Sequence, residues 1–178
     1  MIYIIDYKSG NLGAIQNMMK KLGAKAQIAS SPDQLKDATK IMLPGVGTFD
    51  TGMQSIRNGG WMDMLNQKVF VEKVPTLGIC LGMQLMTKSS EEGKQPGLGW
   101  FNALTKRFNL DSGFKVPHMG WSVARPAKPS RLITPGDEEM RFYFAHSYYV
   151  SVDDKQDELL NTQYGVEFTS AIEKDNIM

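Results

Sequence analysis

The chain has 178 residues, with 20 basic against 19 acidic side chains, a formal net charge of +1, one cysteine and two histidines. That length suits one domain with a full core and needs neither disulfides nor a structural metal, and so even a charge balance supplies no field for nucleic acid or an anionic membrane. A single cysteine forms no intramolecular disulfide, no apolar run approaches the roughly 18 residues a membrane span needs, and Met1-Ile2-Tyr3-Ile4-Ile5-Asp6 lacks a signal peptide's charged start and cleavage site, so a cytoplasmic protein is expected.

Tyr3-Ile4-Ile5 is a short apolar strand closed by Asp6 and a Lys8-Ser9-Gly10-Asn11 turn. Leu12, Ile15, Met19 and Leu22 then recur at helical spacing up to Gly23. Ala26 to Ala29 reads as a second strand, and Ser31-Pro32-Asp33-Gln34 opens a short helix with Ser31 as N-cap and Gln34 at the capping-box position. Ile41-Met42-Leu43 is a third strand, ending in Pro44-Gly45-Val46-Gly47-Thr48-Phe49, and helical segments follow from about Thr51 to Val71.

An apolar run leads into Thr76-Leu77-Gly78-Ile79-Cys80-Leu81-Gly82-Met83-Gln84, and a helix-like run from Leu81 to Lys88 leads out. Cys80 therefore falls on a sharp strand-to-helix turn. Glycines two positions to either side favour a nucleophile elbow over a buried core cysteine, because a side chain there would collide with the neighbouring strand. The helix N-terminus is expected to stabilise a thiolate and lower the thiol pKa. Strands alternating with helices through residue 88 imply a parallel sheet with right-handed crossovers, whose ligands bind at the carboxyl ends of the strands. Lys8 to Asn11, Gly45 to Phe49 and Cys80 all fall at that edge.

From Glu91 to Gly99 the composition turns to Glu, Gly and Pro, and the remainder reads mainly as shorter strands around Ala103–Phe108, Trp121–Ala124, Arg141–Ala145, Tyr148–Val152 and Val166–Ile172. Glu173-Lys174-Asp175-Asn176 reads as a turn, and Ile177-Met178 as the first two residues of another strand. A strand stub leaves pairing groups unused, which points to missing sequence.

Five segments carry a family resemblance: Asp6-Tyr7-Lys8-Ser9-Gly10-Asn11-Leu12, Leu43-Pro44-Gly45-Val46-Gly47-Thr48-Phe49, Gly78-Ile79-Cys80-Leu81-Gly82-Met83-Gln84, Val116-Pro117-His118-Met119-Gly120-Trp121 and Tyr143-Phe144-Ala145-His146-Ser147-Tyr148-Tyr149. Together they resemble the class I (triad) glutamine amidotransferases, and the second and fourth are narrower signals, similar to glutaminase subunits of imidazole glycerol phosphate synthase. The resemblance covers essentially the whole chain. It implies a single amidotransferase domain over residues 1–178, built as an open, mostly parallel twisted sheet with flanking helices in a flavodoxin-like manner, with antiparallel additions in a strand-rich second half.

The resemblance also implies the chemistry. Cys80 attacks the side-chain amide of L-glutamine, a thioester forms, and water hydrolyses it to glutamate, with no metal or organic cofactor. Leu81 and the Gly45-Val46-Gly47 loop supply the oxyanion donors, one of which is worth about 10²–10³ in rate, so a loop that withholds its donor acts as a switch. Gly45, Gln84, His146, Ser147 and Tyr148 match positions that hold the substrate. Free ammonia is mostly protonated in neutral water and then has no lone pair to attack with, so the product must pass directly to a partner, here a cyclase subunit of (β/α)₈-barrel type in histidine biosynthesis. Asn11, His118, Met119, Gly120, Trp121 and Ser122 match the partner side, with Trp121 suited to an interface anchor or to core packing.

Three departures qualify the match. The family's His-Pro-Glu motif, carrying the base and its orienting acid on a late strand, is absent, so the domain is expected to be truncated at its C-terminus and inactive in this form. On residues alone, His118 or His146 would be the base; the resemblance argues against both. Ser122 stands where the family usually has Asn, and Lys8, read as a solvated side chain, where it more often has Gly or another small residue. Ser122 and the irregular C-terminus leave open an amidotransferase feeding another synthase, for example in surface-polysaccharide sugar amination, and the missing base leaves open a non-catalytic assembly subunit.

Overall fold

A computed structural model describes residues 1–133 and 139–178. Four short strands, β1 (Ile2–Ile5), β2 (Ala26–Ala29), β3 (Lys40–Leu43) and β4 (Thr76–Gly78), form a sheet in the order β2-β1-β3-β4. All its pairings are parallel, because helical crossovers rather than hairpins join the strands. Ile4, Ile5, Met42 and Leu43 are buried, as befits strands covered on both faces.

The crossovers carry α1 (Leu12–Lys21), α2 (Phe49–Asn58) and α3 (Trp61–Asn66), the last running into a π-helical turn at Gln67–Val71; α4 (Leu81–Leu85) follows β4. The helical region expected from Thr51 starts at Phe49 and breaks at Gly59-Gly60, where Gly60 takes φ 70°. Pro32–Leu35 is a 3₁₀ turn without the expected capping box: the Ser31 hydroxyl makes no capping bond, and Gln34 Oε1 instead accepts from Ser30 N–H at 2.6 Å. The helix expected to reach Lys88 stops at Leu85, since Thr87 donates both its N–H (3.0 Å) and its hydroxyl (2.8 Å) to the Gln84 carbonyl and tightens the turn.

The second half forms a separate seven-stranded sheet from β5 (Ser89–Ser90), β6 (Ala103–Arg107), β7 (His118–Pro126), β8 (Arg141–His146), β9 (Tyr148–Val152), β10 (Glu158–Tyr164) and β11 (Val166–Ile172), ordered β5-β6-β9-β11-β10-β7-β8. Only β5–β6 is parallel; the other pairings are antiparallel. The Glu91–Gly99 stretch is clamped onto α2. Glu92 accepts from Phe49 N–H at 2.8 Å, and Asp50 accepts from Lys94 and Gln95 N–H at 2.9 Å each, which holds the Asp50 carboxyl below its ordinary range. The main core lies among the parallel sheet, α2, α3 and α4, with Ile5, Leu43, Phe49, Met53, Trp61 and Leu85 at its centre.

Ile177-Met178 pairs with β4 as the stub predicted from the sequence. Met178 N–H donates to the Thr76 carbonyl at 2.9 Å, and Gly78 N–H donates to the Met178 carbonyl at 2.7 Å. The turn before it is pinned by Asn176 Nδ2, which donates to the carbonyls of Val69 (3.1 Å) and Val74 (2.9 Å). The bridge is parallel, so the chain at Met178 runs in the direction that takes β4 to Cys80.

Candidate active site

Cys80 has φ 56° and ψ −116°, a backbone conformation that costs a non-glycine residue about 1–3 kcal/mol and persists only where the surroundings enforce it. They do so through Ile79 N–H to the Leu43 carbonyl (3.0 Å), Gly82 N–H to the Ile79 carbonyl (3.0 Å), and Met83 and Gln84 N–H to the Cys80 carbonyl (3.1 and 3.2 Å). The flanking glycines are required by close approach. A Cβ on Gly82 would lie 1.7 Å from the Leu43 carbonyl oxygen at the end of β3, and one on Gly78 would lie 2.8 Å from Met83 N. The strand-to-helix elbow expected around Cys80 is thus present.

The expected depressed thiol pKa is not. Although Cys80 is exposed, protein packed around the thiol removes enough water to push its pKa above the ordinary value, and the opposing Leu81 N–H beside it is the weaker influence. Helix α4 has only five residues, too few for its dipole to outweigh that desolvation. Cys80 at neutral pH is therefore a thiol that needs a base before it can attack.

The Gly45-Val46-Gly47 loop abuts the elbow: a Cβ on Gly45 would lie 3.1 Å from Leu81 Cβ and 3.3 Å from Gly82 N. Ser9, which the sequence reading left without a role, holds this loop. Its Oγ accepts from Val46 N–H at 2.9 Å and donates to the Val46 carbonyl at 2.6 Å, so both polar groups of Val46 face the β1–α1 loop. Val46 is 64% exposed and Gly47 takes φ 102°, a conformation glycine adopts freely. Beneath lies Tyr7, 1% exposed, whose oxygen would be 2.0 Å from a Gly45 Cβ. Its hydroxyl makes no well-formed hydrogen bond; burial pushes its pKa up to about 12, an effect that nearby Ser9 partly offsets. Lys8 takes φ 68°, in the left-handed region that favours glycine, and its exposed ammonium pairs with Asp6 at 3.4 Å.

Cys80, Gln84, His146 and Tyr148 line one cavity of about 500 Å³, together with Ile79, Met83 and Tyr143. Gln84 is 9% exposed rather than a surface residue, and its Nε2 donates to the Tyr148 carbonyl at 3.2 Å. Ser147 is not among the lining residues; its carbonyl accepts from Phe108 N–H at 3.0 Å.

Neither histidine offers a nitrogen to Cys80. His146 Nδ1 lies 2.7 Å from the Tyr148 carbonyl and its Nε2 3.3 Å from His118 Nδ1, while His118 Nε2 lies 3.0 Å from Ser122 Oγ. His118, expected on the partner surface, is 1% exposed and sandwiched between Phe144 (4.9 Å between ring centres) and Tyr164 (3.9 Å). Strand alternation explains the difference, since positions 118 and 122 of β7 turn inward while Met119 and Trp121 turn outward, 62% and 69% exposed. Trp121 is therefore not a core residue; it meets Tyr143 edge-on across the β7–β8 ribbon. Asn11, also assigned to the partner side, caps α1 by accepting from Ala14 N–H at 3.2 Å.

Burial lowers the His118 pKa to about 4, helped by the neighbouring His146 ring, and burial lowers that of His146 as well. Below the unfolded value near 6.5 the unfolded chain takes up protons that the folded chain refuses, so stability should fall from about pH 6.5 down to about pH 4. The expected loss from His118 is on the order of 2 kcal/mol. Urea unfolding at pH 7.5, 5.5 and 4.5 measures it, and a flat profile would contradict it.

A thiol on a strained elbow, flanked by Leu81 N–H and a glycine loop at the carboxyl edge of a parallel sheet, is the arrangement of a cysteine amidotransferase. The chain belongs to the class-I glutamine amidotransferase family, whose sequence pattern matches residues 3–178. Among individual proteins it is 52% identical over 177 residues to imidazole glycerol phosphate synthase subunit HisH 2 of Methanococcus maripaludis, and 44% identical over 177 residues to the subunit of that name from Pseudomonas aeruginosa. Each alignment covers 99% of this chain and 88% of the relative. Two solved structures share the fold: a glutamine amidotransferase (TM-score 0.70, 16% identity, covering 95% of this chain and 88% of that one) and PurLQS from Thermotoga maritima (0.71, 15%, 99% and 83%).

Proposed function

We propose that this protein is the glutaminase subunit of imidazole glycerol phosphate synthase, hydrolysing L-glutamine in histidine biosynthesis and passing ammonia to a cyclase subunit. The observation that carries the reading is Cys80 at φ 56°, directly before the Leu81 N–H and against the Gly45–Gly47 loop, in a chain 52% identical to a HisH subunit. Cys80 Sγ, once deprotonated, attacks the glutamine Cδ. The carbonyl oxygen becomes an oxyanion that Leu81 N–H accommodates, the C–N bond breaks as the amide nitrogen gains a proton, and water then cleaves the thioester to glutamate. The second donor comes from the Val46–Gly47 segment after it leaves Ser9, since its two bonds to Ser9 hold Val46 in the other orientation. Gln84 and the Tyr148 backbone hold the substrate beside Cys80, while Gly45, which is not among the cavity-lining residues, packs behind Leu81.

We place the base outside residues 1–178, because both histidines have their ring nitrogens engaged elsewhere and this chain covers 88% of its HisH relatives. Met119 and Trp121, with Gly120 and Ser122 behind them, form the face for a (β/α)₈-barrel cyclase, which would receive ammonia shielded from cytoplasmic water; Asn11, at the N-cap of α1, is assigned to the same partner on the resemblance of its segment. The test is glutamate production by residues 1–178 and by the complete reading frame, each with and without the cyclase. Turnover is expected only from the longer chain, and rises when the cyclase is present. Robust turnover by residues 1–178 would sink the assignment of the base and elevate His146.

A further inference from the structure

From Ser122, on the inward face of β7, to the Cys80 cavity runs a continuous line of four polar contacts. Ser122 Oγ is 3.0 Å from His118 Nε2, His118 Nδ1 is 3.3 Å from His146 Nε2, His146 Nδ1 is 2.7 Å from the Tyr148 carbonyl, and that carbonyl also accepts from Gln84 Nε2 at 3.2 Å. The Tyr148 end fixes the direction. A carbonyl oxygen only accepts, so His146 must carry its proton on Nδ1 and leave Nε2 as a bare acceptor. His118 must then donate from Nδ1, which leaves its Nε2 bare, and the Ser122 hydroxyl must donate to it. Each ring is confined to one tautomer by its neighbour.

We propose that Ser122, His118 and His146 form a one-directional hydrogen-bond chain that holds the Tyr148 carbonyl, and through it the Gln84 side chain, in place beside Cys80, so that all three are positioning residues for the glutamine pocket. The opposite tautomer of His146 would set a nitrogen lone pair 2.7 Å from a carbonyl lone pair and displace the group that fixes the Gln84 amide. Gln84 is committed in the same way, because only its nitrogen can face a carbonyl; its oxygen and second N–H remain for the cavity it lines with Cys80. Both rings stay neutral at physiological pH because burial disfavours their charged forms, and a protonated ring, being a donor at both nitrogens, would break the chain. Packing alone does not ask for this arrangement. The slot between Phe144 and Tyr164 would hold any flat ring, whereas here every ring nitrogen is paired in sequence from the ribbon to the pocket.

What is positioned rests on the glutaminase reading; the chain itself does not. Its test joins two readouts on the complete reading frame. In imidazole nitrogen spectra assigned with His118→Phe and His146→Phe, both rings should appear at pH 7 as neutral Nδ1–H tautomers. Ser122→Ala should shift the His118 Nε2 resonance and raise the glutamine KM about tenfold with kcat changed less than about threefold, and Ser122→Thr should restore both. An Nε2–H tautomer at either ring overturns the chain. A KM within about twofold of wild type in Ser122→Ala, with only the melting temperature lowered, overturns the positioning role. Absence of glutamine turnover in the wild type would count against the glutaminase reading instead, and the nitrogen spectra would still decide the chain.

Discussion

Cys80→Ala is expected to abolish glutamine hydrolysis while leaving the fold and glutamine binding in place. Removing the nucleophile of a covalent mechanism costs on the order of 10⁶ in kcat, because no other group can form the intermediate. Among the described residues no second cysteine exists to substitute, and none of the cavity-lining residues is an acid. The backbone at φ 56° is set by hydrogen bonds from Ile79, Gly82, Met83 and Gln84, none of which uses the thiol, so alanine should take the same conformation. Steady-state kinetics and glutamine calorimetry on the same preparation separate the two effects. Residual turnover within about a hundredfold of wild type would show that another group attacks.

Gly82→Ala should have the largest effect on stability. Its Cβ would meet the Leu43 carbonyl oxygen at 1.7 Å, a backbone atom at the end of β3 that cannot rotate away. Relief requires α4 to move off the sheet, breaking the Gly82–Ile79 and Ile79–Leu43 hydrogen bonds and loosening Leu81 and Leu85 in the core. Overpacking of this kind costs roughly 3 kcal/mol or more, which for a chain of this size corresponds to a fall in Tm of about 6–12 °C. Activity should fall with it, since Leu81 N–H moves as well. Gly13→Ala in α1 is the matched control: its Cβ meets nothing within 4 Å, and alanine is the better helix former, so Tm should hold or rise by a few degrees. Equal melting of Gly82→Ala and wild type would mean that α4 does not press against β3 as described.

The parallel half of the fold was legible because its signals are local. Ala26–Ala29 and Ile41–Leu43 are compact apolar runs bounded by turns, and the stub at Ile177-Met178 follows a turn-forming quartet; each was found where expected. β10 was missed because Glu158-Leu159-Leu160-Asn161-Thr162-Gln163-Tyr164 lacks clean alternation, its pairing being interrupted by register shifts beside Leu160. Cys80 stood out through its glycines, whose reason is the distance to β3 and to α4.

Properties that depend on contacts distant in sequence were not legible. The thiol pKa was misjudged because desolvation comes from chain segments that meet only in the fold, and a five-residue helix opposes it weakly. Whether His118 faces a partner or the interior is not legible, because a strand's inward face cannot be known before its pairing partner; its register opposite His146 decides the matter. Ser9 and Tyr7 belong to a recognised segment, yet their positions against Val46 and Gly45 follow only from the convergence of two loops at one sheet edge.

The most direct measurement of the central claim is mass-spectrometric mapping of the complete protein after treatment with an electrophilic glutamine analogue, with and without excess L-glutamine. One adduct, on Cys80 and suppressed by glutamine, is the predicted result; modification elsewhere, or of Cys80 without protection by glutamine, would contradict a glutamine-specific nucleophile at this elbow.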